Sequence, residues 1–154
     1  MAAPDLPAVH ALALALHPTL PESLPVLAEK HVLFPTGCFV LGATPSGYAF
    51  AHPWAANSPP KLDRPLGTLP AAPGCLYLHD LALLPAARGA GQAQALLARL
   101  AALARALHLP ALELVAVSGT AGFWARQGFA PGNNAAVQAQ VQRHYGAGAV
   151  HMRR

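Results

Sequence analysis

The residues best placed to do chemistry lie in Leu81-Ala82-Leu83-Leu84-Pro85-Ala86-Ala87-Arg88-Gly89-Ala90-Gly91-Gln92-Ala93. An apolar, strand-like run enters a turn of small residues and then opens a segment with helical apolar spacing. The first N–H groups of a helix have no partner within it, and together with the helix dipole they form a site for phosphate. Gly89 and Gly91 allow close backbone approach, and Arg88 adds a positive charge at the mouth. A glycine-rich connector with a solvated arginine fits the spacing as well. No Lys followed by Ser or Thr comes after the last glycine, so the stretch is not a P-loop. GxGxxG is absent, and Glu113, the nearest downstream acid, starts a strand instead of ending one, so the dinucleotide fingerprint fails.

Just upstream lie three groups that could move a proton, Tyr77, His79 and Asp80. Period-2 alternation puts Tyr77, His79 and Leu81 on one face of the strand and Leu78, Asp80 and Ala82 on the other. An unperturbed histidine titrates at ~6.5, which suits His79 as a general base, and Tyr77 could order a water beside it. The ordinary alternatives are a half-buried His79 bonded to backbone, an Asp80 that anchors a loop or caps a helix, and a Glu113 exposed at the edge of its strand. Cys38 and Cys75 have no CxxC partner and read as two buried, reduced thiols. The eight histidines never fall at HxH or HxxxH spacing, so the sequence signals no metal site.

These groups must be positioned by one domain, because 154 residues suffice for one core and not for two. The chain is 54% hydrophobic and 10% charged, against ~25% charged in usual soluble domains, which excludes a disordered protein. Leu6 to Leu20 is apolar but interrupted by Pro7, His10, His17 and Pro18, short of the ~20 residues that span a bilayer, so no membrane partner is expected. Asp5 stands where a secretory signal would carry basic residues, so the chain is expected in the cytoplasm. The net charge of +4 comes from thinly spread cations with no interleaved aromatics, so no nucleic-acid partner is expected.

Hydrophobic spacing predicts a helix ending near Pro18, a short helix over Glu22 to Lys30, and a hairpin of Cys38–Ala43 with Gly47–Ala51 around Pro45-Ser46-Gly47. The stretch from Pro53 to Gly74 holds six prolines and no period, so it reads as a long loop, of the kind that usually carries function. Cys75–Leu84 reads as a buried strand, Ala93–His108 as a helix with one leucine face, Leu112–Val117 as a strand, and Thr120–Gln127 as a short helix stopped by Gly128. The tail from Val137 to Met152 reads as one or two strands.

Taken together, these motifs resemble the GNAT-type N-acetyltransferases. The family's pyrophosphate loop is matched by Arg88-Gly89-Ala90-Gly91-Gln92-Ala93 after Leu81-Ala82-Leu83-Leu84-Pro85. Its second signature, a small polar residue leading into a short helix with an aromatic pair and then Gly-Phe, is matched by Ser118-Gly119-Thr120-Ala121-Gly122-Phe123-Trp124-Ala125-Arg126-Gln127-Gly128-Phe129. The resemblance covers nearly the whole chain. It implies a single α/β domain over residues 1–154, with a mixed, mostly antiparallel sheet splayed at the signature strand and flanked by helices. It also implies acetyl-CoA as co-substrate, with its pantetheine arm on the backbone of Leu81, Ala82 and Leu83. The pyrophosphate would lie on Arg88, Gly89, Ala90, Gly91, Gln92 and Ala93, with Ser118, Phe123 and Trp124 also lining the cofactor site.

Catalysis in such a family needs a base, which the resemblance places at Tyr77 or near Glu113 and the residue chemistry at His79, and a proton for the departing thiolate. Where many members carry a tyrosine acid, this chain has Trp124, whose indole N–H is no practical proton source. Water or the amine's own proton then serves, or Tyr145 or Tyr48 substitutes, or the domain binds acyl-CoA without turnover. The implied reaction is direct attack by a primary amine of a small molecule, an amino acid or a peptide N terminus. Few acids flank the acceptor side, which speaks against a polycation. The alternatives are a non-catalytic acyl-CoA sensor or interaction module, and a P-loop-like nucleotide binder. A homodimer stays open.

Overall fold

The computed structural model describes residues 1–154. Two helices open the chain, α1 (Leu6–Leu16) and α2 (Leu24–Leu33). Each carries proline in its first turn, where the missing N–H costs nothing. Leu6, Val9 and Leu12 of α1 and Leu27 of α2 pack against Tyr48, Phe50 and Ala82 of the sheet, so the two helices cover one of its faces.

The sheet has six strands in the order β1-β2-β3-β4-β6-β5. They are β1 (Cys38–Leu41), β2 (Gly47–Trp54), β3 (Cys75–Leu83), β4 (Leu112–Ala116), β5 (Ala130–Pro131) and β6 (Val150–Arg153). Every pair is antiparallel except β3 with β4. Ala49, Ala51, Leu76, Leu78, Leu112 and Leu114 form the opposite core, with α3 (Gln92–Ala106) supplying Leu96, Leu97 and Leu100 and α4 (Ala121–Arg126) supplying Trp124. The resulting single domain, a mixed sheet between helical layers, is the architecture expected from the sequence.

Several local expectations change. The hairpin's positive φ falls on Gly42 (φ +80°), where a Cβ would meet the Thr44 carbonyl oxygen at 2.9 Å. Gly47 instead begins β2, in a spot too tight for any side chain because a Cβ would lie 2.3 Å from Leu83. β2 runs on through Pro53 to Trp54, beyond the expected end at Ala51. Proline is tolerated there because pairing with β1 has already stopped at Phe50, so no ladder bond needs its N–H. The tail after Val137, read as strand, begins with a helix, α5 (Ala135–Tyr145), before β6. Asn134 caps it by accepting from the N–H groups of Ala136 and Val137, and Val137 and Val141, one turn apart, are its buried pair. Val115, Val117 and Tyr145 pack against that pair.

Two irregularities make the site. In β3 opposite β2, Phe50 pairs with Asp80 and Ala51 with Leu78, leaving His79 as an extra residue in a β-bulge. Between β3 and β4 only Leu76 with Leu112 and Tyr77 with Glu113 are in register; beyond them the two parallel strands separate.

Candidate functional site

Where β3 and β4 part, a cavity of about 650 Å³ opens between them. It runs from Tyr77, His79, Glu22 and Tyr145 at one end to Arg88, Gly91 and Gln92 at the other. Leu81, Ala82 and Leu83 of β3, Leu114 and Val115 of β4 and Val117 just beyond it form its walls. Past Tyr77 the edge of β3 that faces β4 has no ladder partner, so its backbone groups are free to bond an extended ligand laid in the cleft.

At the wide end, the N–H groups of Gly89 through Gln94 have no backbone acceptor, and the first backbone bond of the turn into α3 is from Ala95 to the Gly91 carbonyl. Gly89 (φ +82°) and Gly91 (φ +74°) take the left-handed conformation that favours glycine, and a Cβ on either would project into open space. Six free donors, three from the glycine turn and three from the first turn of the 15-residue α3, suit an anion such as phosphate. Arg88 stands beside it, its Nε donating to the Leu83 carbonyl at 3.1 Å. Arg126 and Gln127 of the α4 region also line the cleft, and the sequence reading did not single them out. Ser118 and Phe123 face the cleft as well, Ser118 in the left-handed region at φ 51°. Trp124 reaches the cleft while packing edge-on against Phe123 and Phe129, at centroid distances of 5.0 and 5.6 Å.

At the narrow end, the bulge overturns one expectation. Simple alternation put Asp80 on the face opposite His79; the extra residue turns both toward α1 and α2. Asp80 accepts from the Tyr48 hydroxyl at 2.6 Å and lies 3.2 Å from Nε2 of His17. The nearby Asp80 carboxylate raises His17 above its ordinary value, against the effect of burial. His79 Nε2 lies 2.6 Å from Oε2 of Glu22, whose Oε1 is 3.4 Å from Lys30 Nζ and accepts the Asp63 N–H at 3.2 Å. Burial alone would push the Glu22 carboxyl up, but the charge and hydrogen bond of His79, with Lys30 behind, bring it down to about 2. Lys30 is itself lowered by burial, against the pull of Glu22. His79 Nδ1 is buried without a partner. Burial, with His79 nearby, pushes His52 in the adjacent strand down to about 3.

Tyr77 is fully enclosed, and burial, followed by the neighbouring Tyr145 phenol, holds its own hydroxyl well above the usual phenol range. Tyr145 donates to the Pro60 carbonyl at 2.5 Å, fastening the end of α5 to the long loop. That loop is also tied down by Glu29, which accepts from the N–H groups of Leu66 and Gly67, and by Asp63, which accepts from Ser23. Leu62 from the loop and Leu16 and Leu20 from the first helix and its exit complete an apolar wall.

The structure thus brings Tyr77 and His79 together and places Glu113 elsewhere. Glu113 is 0% exposed, not the surface edge residue the sequence allowed, and lies behind the cleft wall, outside the cavity lining. Its Oε2 accepts from the Asn57 N–H at 2.9 Å and lies 3.1 Å from His151 Nε2. The Glu22–His79 contact joins positions 57 apart, so no local spacing signals it. Cys38 and Cys75 are buried and unpaired, and burial raises both thiols to about 12, which leaves them inert as nucleophiles.

A parallel strand pair that splits beside a helix whose first N–H groups are free defines an acyltransferase fold. The family model described as acetyltransferase (GNAT) family matches residues 11–129, and the chain belongs to that family. No curated protein matches it in sequence. Among solved structures, a GphF GNAT-like decarboxylase in complex with isobutyryl-CoA superimposes with a TM-score of 0.76 at 19% identity, over 99% of this chain and 95% of that one. Ard1 from Thermoplasma volcanium gives 0.72 at 13% identity, over 100% and 93%. The ribosomal-protein-S18-alanine N-acetyltransferase from Escherichia coli gives 0.63 at 15% identity, over 99% and 88%. At such identities the likeness is one of fold.

Proposed function

We propose that the protein transfers the acetyl group of acetyl-CoA to a primary amine, of a small molecule, an amino acid or a peptide N terminus, by direct attack. The observation that carries this reading is one cleft with six unpaired N–H groups of a glycine turn and helix start at one end and His79, whose buried Nδ1 has no partner, at the other. The pyrophosphate would lie on Arg88 to Ala93, and the pantetheine arm along the free edge of Leu81, Ala82 and Leu83. Ser118, Phe123 and Trp124 would flank the arm. When bound, acetyl-CoA supplies an acyl carbon activated as a thioester.

The chain's own groups then have three tasks. His79 takes a proton from the acceptor's ammonium, which frees the nitrogen lone pair. Tyr77 and Tyr145, both kept as neutral phenols by their burial, hold water or the amine in place by hydrogen bonds. Leu16, Leu20 and Leu62 exclude bulk water, which strengthens each polar contact inside. Glu113, tied to Asn57 and His151, supports the start of the loop.

The test is release of free thiol from acetyl-CoA with a panel of alkylamines, amino acids and short peptides. Amine-dependent release with an N-acetylated product supports transfer; the absence of release with every amine, despite tight binding of acetyl-CoA, establishes the second reading, an acyl-CoA-binding module. Trp124 favours that second reading, since its N–H cannot protonate a thiolate.

A further inference from the structure

Lys30, Glu22 and His79 form a buried ionisable chain beneath the cleft, with side chains 1%, 8% and 2% exposed. They come from three places: Glu22 before α2, Lys30 within it, and His79 at the bulge of β3. A buried ion pair adds little stability over apolar side chains of similar volume, so the arrangement calls for a use. The geometry supplies one. An ionised carboxylate can only accept, so at 2.6 Å from Glu22 Oε2 the proton of His79 sits on Nε2. In the neutral form of the ring the lone pair is then on Nδ1, the nitrogen left without a partner. Lys30 Nζ and the Asp63 N–H both hold Oε1, so the carboxylate cannot turn away.

We infer that Glu22, braced by Lys30 and the Asp63 backbone, is a positioning residue that fixes His79 as the Nε2–H tautomer and so keeps Nδ1, buried and unpartnered at rest, as the nitrogen that accepts the ammonium's proton. The inference rests on the acetyl-transfer reading. The proton passes from the ammonium nitrogen to Nδ1, and the freed pair forms the C–N bond as the C–S bond breaks. The thiolate takes, through water, the second proton that the attacking nitrogen sheds as the amide forms, and the imidazolium, stabilised meanwhile by Glu22, returns its own to water. The other groups around His79 do not compete. His52 from β2 is disfavoured as an acceptor by burial, Asp80 is engaged by Tyr48 and His17, and Tyr77 and Tyr145 are neutral donors.

The experiment compares the full-length protein with Glu22→Gln, which keeps the volume and removes the charge. Glu22→Gln should lower kcat by about 100-fold, the lower end of what a positioned base contributes, while the Kd for acetyl-CoA stays within about twofold. A merely structural role would leave the tautomer of His79 unchanged. Nitrogen-15 NMR of the histidines should find His79 as the Nε2–H tautomer in the wild type and shifted toward Nδ1–H in the variant. An Nδ1–H tautomer in the wild type, or a Glu22→Gln enzyme with kcat within about threefold, overturns the inference. The wild-type tautomer is read without any variant, so a Glu22→Gln chain that fails to fold still leaves the idea decidable. A wild type that releases no thiol with any amine overturns the transfer reading, while the tautomer still judges the pairing.

Discussion

The Glu22 carboxylate makes a prediction about folding that needs no substrate. Its folded pKa is about 2, against 4.5 for the free side chain. A group whose pKa is depressed on folding contributes stability that is complete above the unfolded value and is lost as pH falls toward the folded one. The difference, about two and a half pH units at ~1.36 kcal/mol each, amounts to about 3 kcal/mol. Glutamine mimics the protonated acid, so Glu22→Gln should be about 3 kcal/mol less stable than the wild type near pH 6, and the gap should close progressively from pH 4.5 to pH 2. Urea unfolding followed by circular dichroism across that range measures the gap directly, and the chain's other acids largely cancel in the comparison. For a chain of this length such a gap corresponds to roughly 6–12 °C in Tm near neutral pH. A gap that is the same at pH 6 and pH 2.5, or below about 1 kcal/mol throughout, would show that the contacts with His79, Lys30 and Asp63 do not hold the carboxylate ionised.

Other perturbations separate binding from chemistry. Arg88→Ala should weaken coenzyme A binding by about tenfold, the worth of one charge-assisted hydrogen bond, with turnover at saturation preserved; isothermal calorimetry that finds unchanged affinity would remove Arg88 from the phosphate site. His79→Ala should cut kcat by about 100-fold or more without altering coenzyme A affinity, and a fully active variant would rule it out as base. Gly91→Val forces a β-branched residue into a left-handed backbone and should destabilise by about 1–3 kcal/mol while also weakening coenzyme A binding; thermal melts with and without the ligand read both effects. Tyr145→Phe frees the Pro60 carbonyl and should raise KM for the amine more than that for acetyl-CoA, which steady-state kinetics in both substrates would detect.

The phosphate end of the cleft was legible because all its parts are consecutive. Strand, glycine turn and helix lie within Leu81 to Ala93, and the dihedral freedom they need is written in the residue types, as the positive φ of Gly89 and Gly91 bears out. The short helix with Phe123 and Trp124 was legible for the same reason. The helix at 135–145 was missed because its apolar signal is a single pair, Val137 and Val141, among glutamines and alanines, and the capping role of Asn134 outweighed the strand reading. Asp80 was assigned to the wrong face because alternation assumes an uninterrupted pleat, and the register slip at His79 exists only once β2 pairs with β3.

Sequence alone therefore determined the family's architecture, the anion cradle and the candidacy of Tyr77 and His79, all of which rest on local backbone geometry and spacing. Tertiary structure decided which polar groups meet. It took Glu113 out of the cleft and gave it to Asn57 and His151, and it brought Glu22 and Lys30 to His79. The reason is physical: a helix or a turn is set by bonds between near neighbours, whereas partners for a buried charge are chosen by whichever distant segments the packing brings within about 3 Å.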